Sequence, residues 1–144
     1  MKKIILTASL LITQFISAQE TDIKKSVDTF FEGLHTTDTL KIQSVCDRDI
    51  KLQSVRLNTD GSARLVTDEP EKFYKSIASI PKEMKVEEKL LDYKIQIDGP
   101  MAHVWTPYEF YINGRLSHKG VNSFQLYNDN GIWKIVYVID TRRK

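Results

Sequence analysis

A single cysteine leaves this chain without an internal disulfide. Cys46 falls in an expected helix, where a small buried apolar residue is its simplest role. No His lies near it in sequence, which argues against a catalytic thiolate. No Cys/His cluster has the spacing of a metal site, so no metal is expected. There is no Gly-rich phosphate loop and no Gly-x-Ser-x-Gly elbow, and no cofactor is expected. No segment repeats, and no low-complexity linker divides the chain. Long apolar runs are also missing: the one apolar stretch, Ile4 to Ile16, is shorter than the ~20 residues a membrane-spanning helix needs. Charge of one sign is not in excess, with 21 Lys and Arg against 19 Asp and Glu. A nucleic-acid surface would need clustered excess Lys and Arg, so no nucleic-acid partner is expected. The terminal Arg142-Arg143-Lys144 reads as a solvated basic tip.

What the N-terminus does have is a secretory layout. Lys2 and Lys3 precede the apolar core, and Ser17-Ala18 before Gln19 is a cleavage site. No cysteine follows the core directly, which argues against a bacterial lipid anchor. Residues 1–18 are expected to be a signal peptide and residues 19–144 a single domain. The domain is expected to be exported, periplasmic or secreted, and off the membrane after cleavage. Loss of Lys2 and Lys3 leaves 19 basic against 19 acidic residues, so the basic pI comes from the discarded leader. The remaining length is one domain's worth and can bury a real core.

Ile23, Val27, Phe30, Phe31 and Leu34 recur at the spacing of one helical face. This helix begins near Glu20 or Thr21 and ends at His35-Thr36-Thr37-Asp38. Its two phenylalanines serve the core and can wall a pocket if the helix lies across a curved sheet. A short second helix, about Thr39 to Cys46, turns Leu40, Val45 and Cys46 inward. Asp49 to Val66 reads as a hairpin around Asn58-Thr59-Asp60-Gly61. Asp68 is expected to cap a third helix that Pro70 opens, with Glu71 completing a capping box and Pro81 ending it. Phe73, Tyr74, Ile77 and Ile80 form its apolar side. Glu87 to Asp98 alternates apolar and polar residues, as a strand with one face in the core. Gly99-Pro100 turns it.

The richest stretch is Ala102 to Lys144, three long strands joined by Asn113-Gly114 and by Asn128-Asp129-Asn130-Gly131. The expected class is α+β: three N-terminal helical segments packed on a strongly bent antiparallel sheet that encloses a cone-shaped pocket. Turn chemistry sets the register. Asn113-Gly114 pairs Ile112 with Arg115, hence Tyr111 with Leu116 and Glu109 with His118. The second turn, taken as four residues, pairs Tyr127 with Ile132, hence Phe124 with Ile135 and Asn122 with Tyr137. Gly99-Pro100 pairs Ile97 with Ala102 and Ile95 with Val104. The core face is then even at 102 and 104 and odd at 109. One extra residue removes the conflict, and Pro107, which donates no ladder hydrogen bond, marks the expected bulge. Val104 then faces Asn122 and Ala102 faces Phe124.

On this register Trp133 and Ile135 lie at an apolar end of the inner face. Glu109, His118, Asn122 and Tyr137 gather towards the other. An apolar cavity with a few convergent polar groups is the usual form of a small-molecule site. The expected ligand contacts are Glu109, His118, Asn122, Tyr137, Trp133, Phe30 and Phe31. The plain structural alternative makes Glu109 and His118 an exposed cross-strand pair worth roughly 0.2–1 kcal/mol, with Tyr137 and Asn122 bonded to each other in the core. The outer face joins Lys119, Ser123, Gln125 and Lys134 to Trp105, Tyr108 and Phe110. Charge mixed with large aromatics suits a subunit contact, so a homodimer is expected.

At these residues the chain resembles the nuclear transport factor 2-like superfamily, the group of ketosteroid-isomerase and SnoaL-like proteins. The features are Ala102-x-Val104 after a Gly turn, Asn130-Gly131-x-Trp133-Lys134-Ile135 near the end, and the order of the three helical segments. More narrowly, Val104 to Tyr111, His118 to Asn122, Trp133 to Ile135 and Asp140 to Arg143 resemble an exported bacterial branch filed as lumazine-binding. The resemblance covers almost all of residues 19–144. It implies the cone fold; the name of the branch implies a small apolar or heteroaromatic ligand. The fold hosts isomerases, cyclases, dehydratases, carriers and immunity proteins, so it implies no single activity. Isomerase members use an aspartate base with a tyrosine and a protonated acid as oxyanion hole. Asp98 and Asp140 lie at strand ends, and that set finds no residue-by-residue match here.

Three functions follow. The first is an exported, non-catalytic small-molecule-binding protein, with Glu109, His118 and Asn122 orienting the ligand. The second is a SnoaL-like enzyme moving a proton on a carbonyl compound, with His118 as base, poised by Glu109. The third is a dimeric accessory protein that binds a protein partner through Trp105 and Tyr108.

Overall fold

The computed structural model describes residues 2–144, with side chains described from Ser17 onward. The sequence features of the expected signal peptide between Lys2 and Ile16 lie outside the described side chains. The elements run α1 (Lys2–Thr36), α2 (Thr39–Val45), β1 (Cys46–Leu57), β2 (Ala63–Asp68), α3 (Pro70–Ala78), β3 (Val86–Leu90), β4 (Lys94–Asp98), β5 (Met101–Ile112), β6 (Arg115–Asp129) and β7 (Ile132–Arg142). Three helices pack on one open sheet of seven strands, ordered β2-β1-β7-β6-β5-β3, with β4 also on β5. The sheet is mixed and not wholly antiparallel, because β7 returns to lie parallel to β1.

The helices follow their apolar spacing. Ile23, Val27, Phe30 and Phe31 are all buried on one face of α1. Asp38 caps α2, its carboxylate accepting the Lys41 N–H at 3.0 Å. Ile42 fills the core from α2, whereas Leu40, expected inward, is 75% exposed. The residue capping α3 is Glu69, which makes no side-chain cap bond. Asp68, the expected cap, is still in the β-ladder opposite Leu52. Pro70 occupies the first turn, where a missing N–H is harmless.

The strand expected from Glu87 to Asp98 is two strands. β3 pairs with Tyr108–Ile112 and β4 with Met101–Trp105 of β5. The break lies opposite Pro107, whose carbonyl accepts the Leu91 N–H at 2.9 Å. In an antiparallel ladder a residue's N–H and C=O point to the same edge, so the proline's missing donor falls where the neighbouring strand stops.

Both hairpins of the meander turn on two left-handed residues. Asn113 and Gly114 have φ of 50° and 76°, and Asn130 and Gly131 have φ of 51° and 93°. These are the positive angles a two-residue hairpin demands. The second turn is thus shorter than expected, and Asp129 pairs with Ile132. The bulge between β5 and β6 exists, but on the other strand. Tyr111 pairs with Leu116 and Phe110 with His118, so the extra residue is Ser117 and not one beside Pro107. Val104 consequently faces Phe124, and Thr106 faces Asn122. A second bulge, not anticipated, leaves Val136 unpaired between Leu126–Ile135 and Gln125–Tyr137.

These shifts reassign faces. Trp133, Ile135 and Val138 point inward, with Phe124, Leu126, Ala102 and Val104. The Phe124 ring meets the edges of Phe30 and Phe31 at centroid distances of 5.8 Å. Burying one such ring contributes about 1.5–3 kcal/mol. Ser26 ties α1 to β7, its hydroxyl donating to the Trp133 carbonyl at 2.8 Å. Tyr108, expected on the outer face, is 2% exposed, and Phe110 faces inward beside it. Gly120 lets β6 meet the end of β7: a Cβ there would lie 1.8 Å from the Thr141 carbonyl oxygen.

Candidate functional site

Where α1 and α3 lean away from the inner face of the sheet, they leave a cavity of about 560 Å³. Phe30, Phe31 and Leu34 of α1, with Phe73, Ile77 and Ile80 at α3, line its helical side. Phe30 and Phe73 stack at 6.1 Å, which joins the two helices across it. The sheet side is apolar at Leu52 and Val138 and polar beyond them. Alternation decides which polar residues arrive. Leu52, Ser54 and Arg56 of β1 pair with Val138, Asp140 and Arg142 of β7, so all six share one face.

Asp140 is the hub of the polar end. It accepts from the Ser54 hydroxyl and, at 2.9 Å, from the Arg142 Nε. The Tyr108 hydroxyl sits 3.2 Å from Asp140 and 2.8 Å from the Thr141 carbonyl that it also serves as donor. Burial, aided by the Asp140 charge, pushes the Tyr108 phenol well above its ordinary range. Tyr108 therefore stays neutral and rigid, a wall and not an acid at ordinary pH.

Glu88, on the short edge strand β3, faces the same group. Asn122 donates to its Oε1 at 2.6 Å. Burial raises the Glu88 carboxyl to about 7; Asp140 adds to the rise, while the Asn122 bond and Arg142 oppose it. Its backbone is held by α1, because the Glu88 N–H donates to His35 Nε2 at 2.8 Å. That bond needs an unprotonated imidazole, and burial lowers the His35 pKa. His118 stacks on Phe110 at 4.8 Å and meets Tyr108 edge-on at 5.8 Å. Burial lowers its pKa too, with Arg142 and Arg56 assisting, so His118 is neutral at pH 7.

The expected contacts divide. Phe30, Phe31, His118 and Asn122 line the cavity. Glu109 does not: it pairs with Lys119 and Lys89, and its carboxylate accepts the Tyr111 hydroxyl at 2.7 Å. The extra residue at Ser117 puts Glu109 and His118 on opposite faces, so the expected pair does not form. Tyr137 is likewise outside the cavity lining. The Val136 bulge turns it away from Asn122, and its hydroxyl bonds Gln53 at 2.5 Å. Trp133 is fully packed core. Missed in their place were Glu88, Tyr108, Asp140, Arg142, Ser54 and Arg56. Only Asp140 carried a signal, as an acid at the end of an otherwise apolar strand.

Among the described residues no three His, Cys, Asp or Glu side chains converge as a metal site would require. None of the described helices is long and apolar enough to cross a membrane. Cys46 is buried, which pushes its thiol up to about 12 and keeps it protonated.

No family model matches the chain, and no curated protein matches it. Solved structures do. An NTF2-like protein of unknown function from Shewanella baltica aligns with a TM-score of 0.64 at 14% identity, over 89% of this chain and 96% of that one. An NTF2-like protein from Cytophaga hutchinsonii aligns at 0.66 and 16% identity, over 87% and 98%. A candidate dehydratase of the NTF2-like family from Streptomyces avermitilis aligns at 0.63 and 15% identity, over 88% and 99%. The chain has the NTF2-like fold over nearly its whole length. Identities of this size carry the fold and no ligand.

Proposed function

We propose that this protein binds a small organic molecule in the cavity between its helices and its sheet, with no chemical step in its role. The observation that carries the reading is the cavity itself. At about 560 Å³ it lies within the range of small-molecule sites. Phe30, Phe31, Leu34, Phe73 and Ile77 make an apolar wall, and Glu88, Asn122, His118 and Asp140 gather at one end. Asp68, Lys72 and Ser76 add polar groups on the β2 and α3 side, an arrangement suited to a ligand with an apolar body and a polar head. The head would meet Glu88, Asn122 and His118. We propose also, from the basic start and apolar core of residues 1–18, that the protein is exported. Trp105, 43% exposed on the outer face near exposed Met101, would serve a homodimer contact.

The test is native mass spectrometry of the purified protein, then titration with a neutral solvatochromic dye, Nile red. Saturable binding of one dye per chain is expected. Leu34→Trp, which fills the helical side of the cavity, should abolish it. Binding that survives this substitution unchanged would place the dye elsewhere and sink the reading.

A second reading has one observation in its favour. Glu88 is a carboxyl raised to about 7, and among the described residues only its Oε1 has a partner. A base of that pKa facing an apolar cavity suits proton abstraction next to a carbonyl. Glu88 replaces the base expected at His118, whose Nδ1 meets the Ser117 hydroxyl and not a carboxylate. Hydrogen–deuterium exchange at the α-carbon of a bound ketone would support this reading if lost in Glu88→Gln. Exchange unchanged by that substitution would exclude Glu88 as the base.

A further inference from the structure

One buried side-chain polar atom among the described residues lacks a hydrogen-bond partner, and it is Arg56 Nε. The guanidinium is planar, permanently charged and rich in donors, so an unanswered N–H on it is costly. In a native protein such a group calls for a partner from outside the chain: a water, an ion or a ligand. Arg56 lies on the inner face of β1 and lines the cavity.

Its neighbours sharpen the point. Arg56 is paired on one side with Arg142 and on the other with Arg64. Three arginines thus stand side by side on one face of three adjacent strands, an arrangement that destabilises a sheet unless countercharge is supplied. Asp140 answers Arg142. Asp68, on the same face two pairs along from Arg64, lines the cavity but leaves Arg56 Nε unsatisfied. Lys72, at the α3 side, is taken by Glu69 at 3.0 Å. His118 is neutral and adds no charge. With Asp140 on Arg142 and Glu69 on Lys72, Arg56 is the cation at the polar end whose Nε has no partner, and a negative group within reach of β1 would answer it.

We propose that the cavity takes an amphipathic organic carboxylate, its head received by Arg56 and its apolar body laid against Phe30, Phe31 and Phe73. The inference rests on the cavity being a ligand site and adds the ligand's charge. A guanidinium receives a carboxylate through two parallel N–H bonds, which fixes the head and leaves the body to the apolar wall. An alcohol or amide of the same shape satisfies Arg56 less well, because the charge-assisted bond is about twice as strong as a neutral one.

The experiment is displacement of Nile red by decanoate and, separately, by decanol, two ligands with one tail and different heads. Decanoate should compete about tenfold more tightly than decanol, the usual worth of one charge-assisted bond. Arg56→Gln should bring the two within about twofold, each competition being read against that variant's own dye affinity, and Arg56→Lys should restore part of the preference. Far-ultraviolet circular dichroism checks that both variants fold. Equal competition by the two ligands in the unaltered protein, with dye bound, would overturn the carboxylate and leave the cavity reading standing. A preference that persists in Arg56→Gln would likewise overturn the role of Arg56. Failure of the dye to bind at all would overturn the cavity reading and this inference with it.

Discussion

Replacing Glu88 by glutamine should make the protein more stable at alkaline pH and leave it nearly unchanged at acid pH. The Glu88 carboxyl is raised in the folded state from 4.5 to about 7, chiefly by burial. Below 4.5 it is protonated in both the folded and the unfolded chain, and nothing is lost. Between 4.5 and about 7 the unfolded chain has released its proton and the folded one has not, so each step up in pH favours unfolding. Above about 7 the penalty is complete. Each pKa unit is worth 1.36 kcal/mol, so the full loss is about 3 kcal/mol. The amide keeps a carbonyl oxygen for Asn122 and never ionises, so it escapes this loss. Urea denaturation of both proteins at about pH 5 and about pH 8 should give a difference that grows by about 2–3 kcal/mol in favour of the variant. Asn122, Asp140, Arg142 and Tyr108 face Glu88 from β5, β6 and β7, and His35 faces it from α1. His35 and His118, both lowered by burial, are present in both proteins, so their contribution largely cancels. A stability difference independent of pH would refute the reasoning. It would mean that Glu88 is ionised throughout and that its environment is polar and not desolvating.

Other outcomes follow from the same geometry. Decanoate affinity should fall as pH rises through about 7, because ionised Glu88 then repels a second carboxylate; decanol affinity should stay flat. Gly120→Ala should cost about 3 kcal/mol or more in urea denaturation, because the new methyl meets the Thr141 backbone and the Tyr108 ring, and neither can move cheaply. Asp140→Ala should cost about 2–4 kcal/mol by the same measurement, since it strips acceptors from Ser54 and Tyr108 and leaves Arg142 unpaired. Glu109→Gln and Tyr137→Phe should leave Nile red affinity unchanged, as both lie outside the cavity lining. Cys46 should resist maleimide labelling until the protein unfolds, since it is buried and its thiol is held at about 12.

Much of the fold is legible from local chemistry. Apolar spacing alone places Ile23, Val27, Phe30 and Phe31 on one face of α1. Asn113-Gly114 demands positive φ and so announces one hairpin, and the run Asn128 to Gly131 announces a second, expected as a four-residue turn where the chain makes a two-residue one at Asn130-Gly131. The conflict of parity along β5 even requires a bulge before any coordinate is known. These signals are local, because periodicity and turn type depend on a few neighbouring residues.

The site is a different matter. A bulge satisfies parity on either strand of a pair, and nothing near Pro107 or Ser117 says which strand takes the extra residue. Only the packed sheet decides, because the choice depends on which side chains fill the core against α1. Placing the extra residue at Ser117 sends Phe110 and Tyr108 inward and Glu109 outward; a second one at Val136 exchanges Tyr137 for Val138 and Asp140. Since side chains alternate with period two, each single slip moves a whole set of residues between core and surface. The parallel contact of β7 with β1 then brings Ser54 and Arg56 to Asp140 and Arg142, across more than eighty residues of chain. Amino-acid order by itself determined the helices, most of the strands, the places of the turns and the fold class, whose causes are local. Tertiary packing decided which charges share the cavity, because that depends on register between strands distant in sequence.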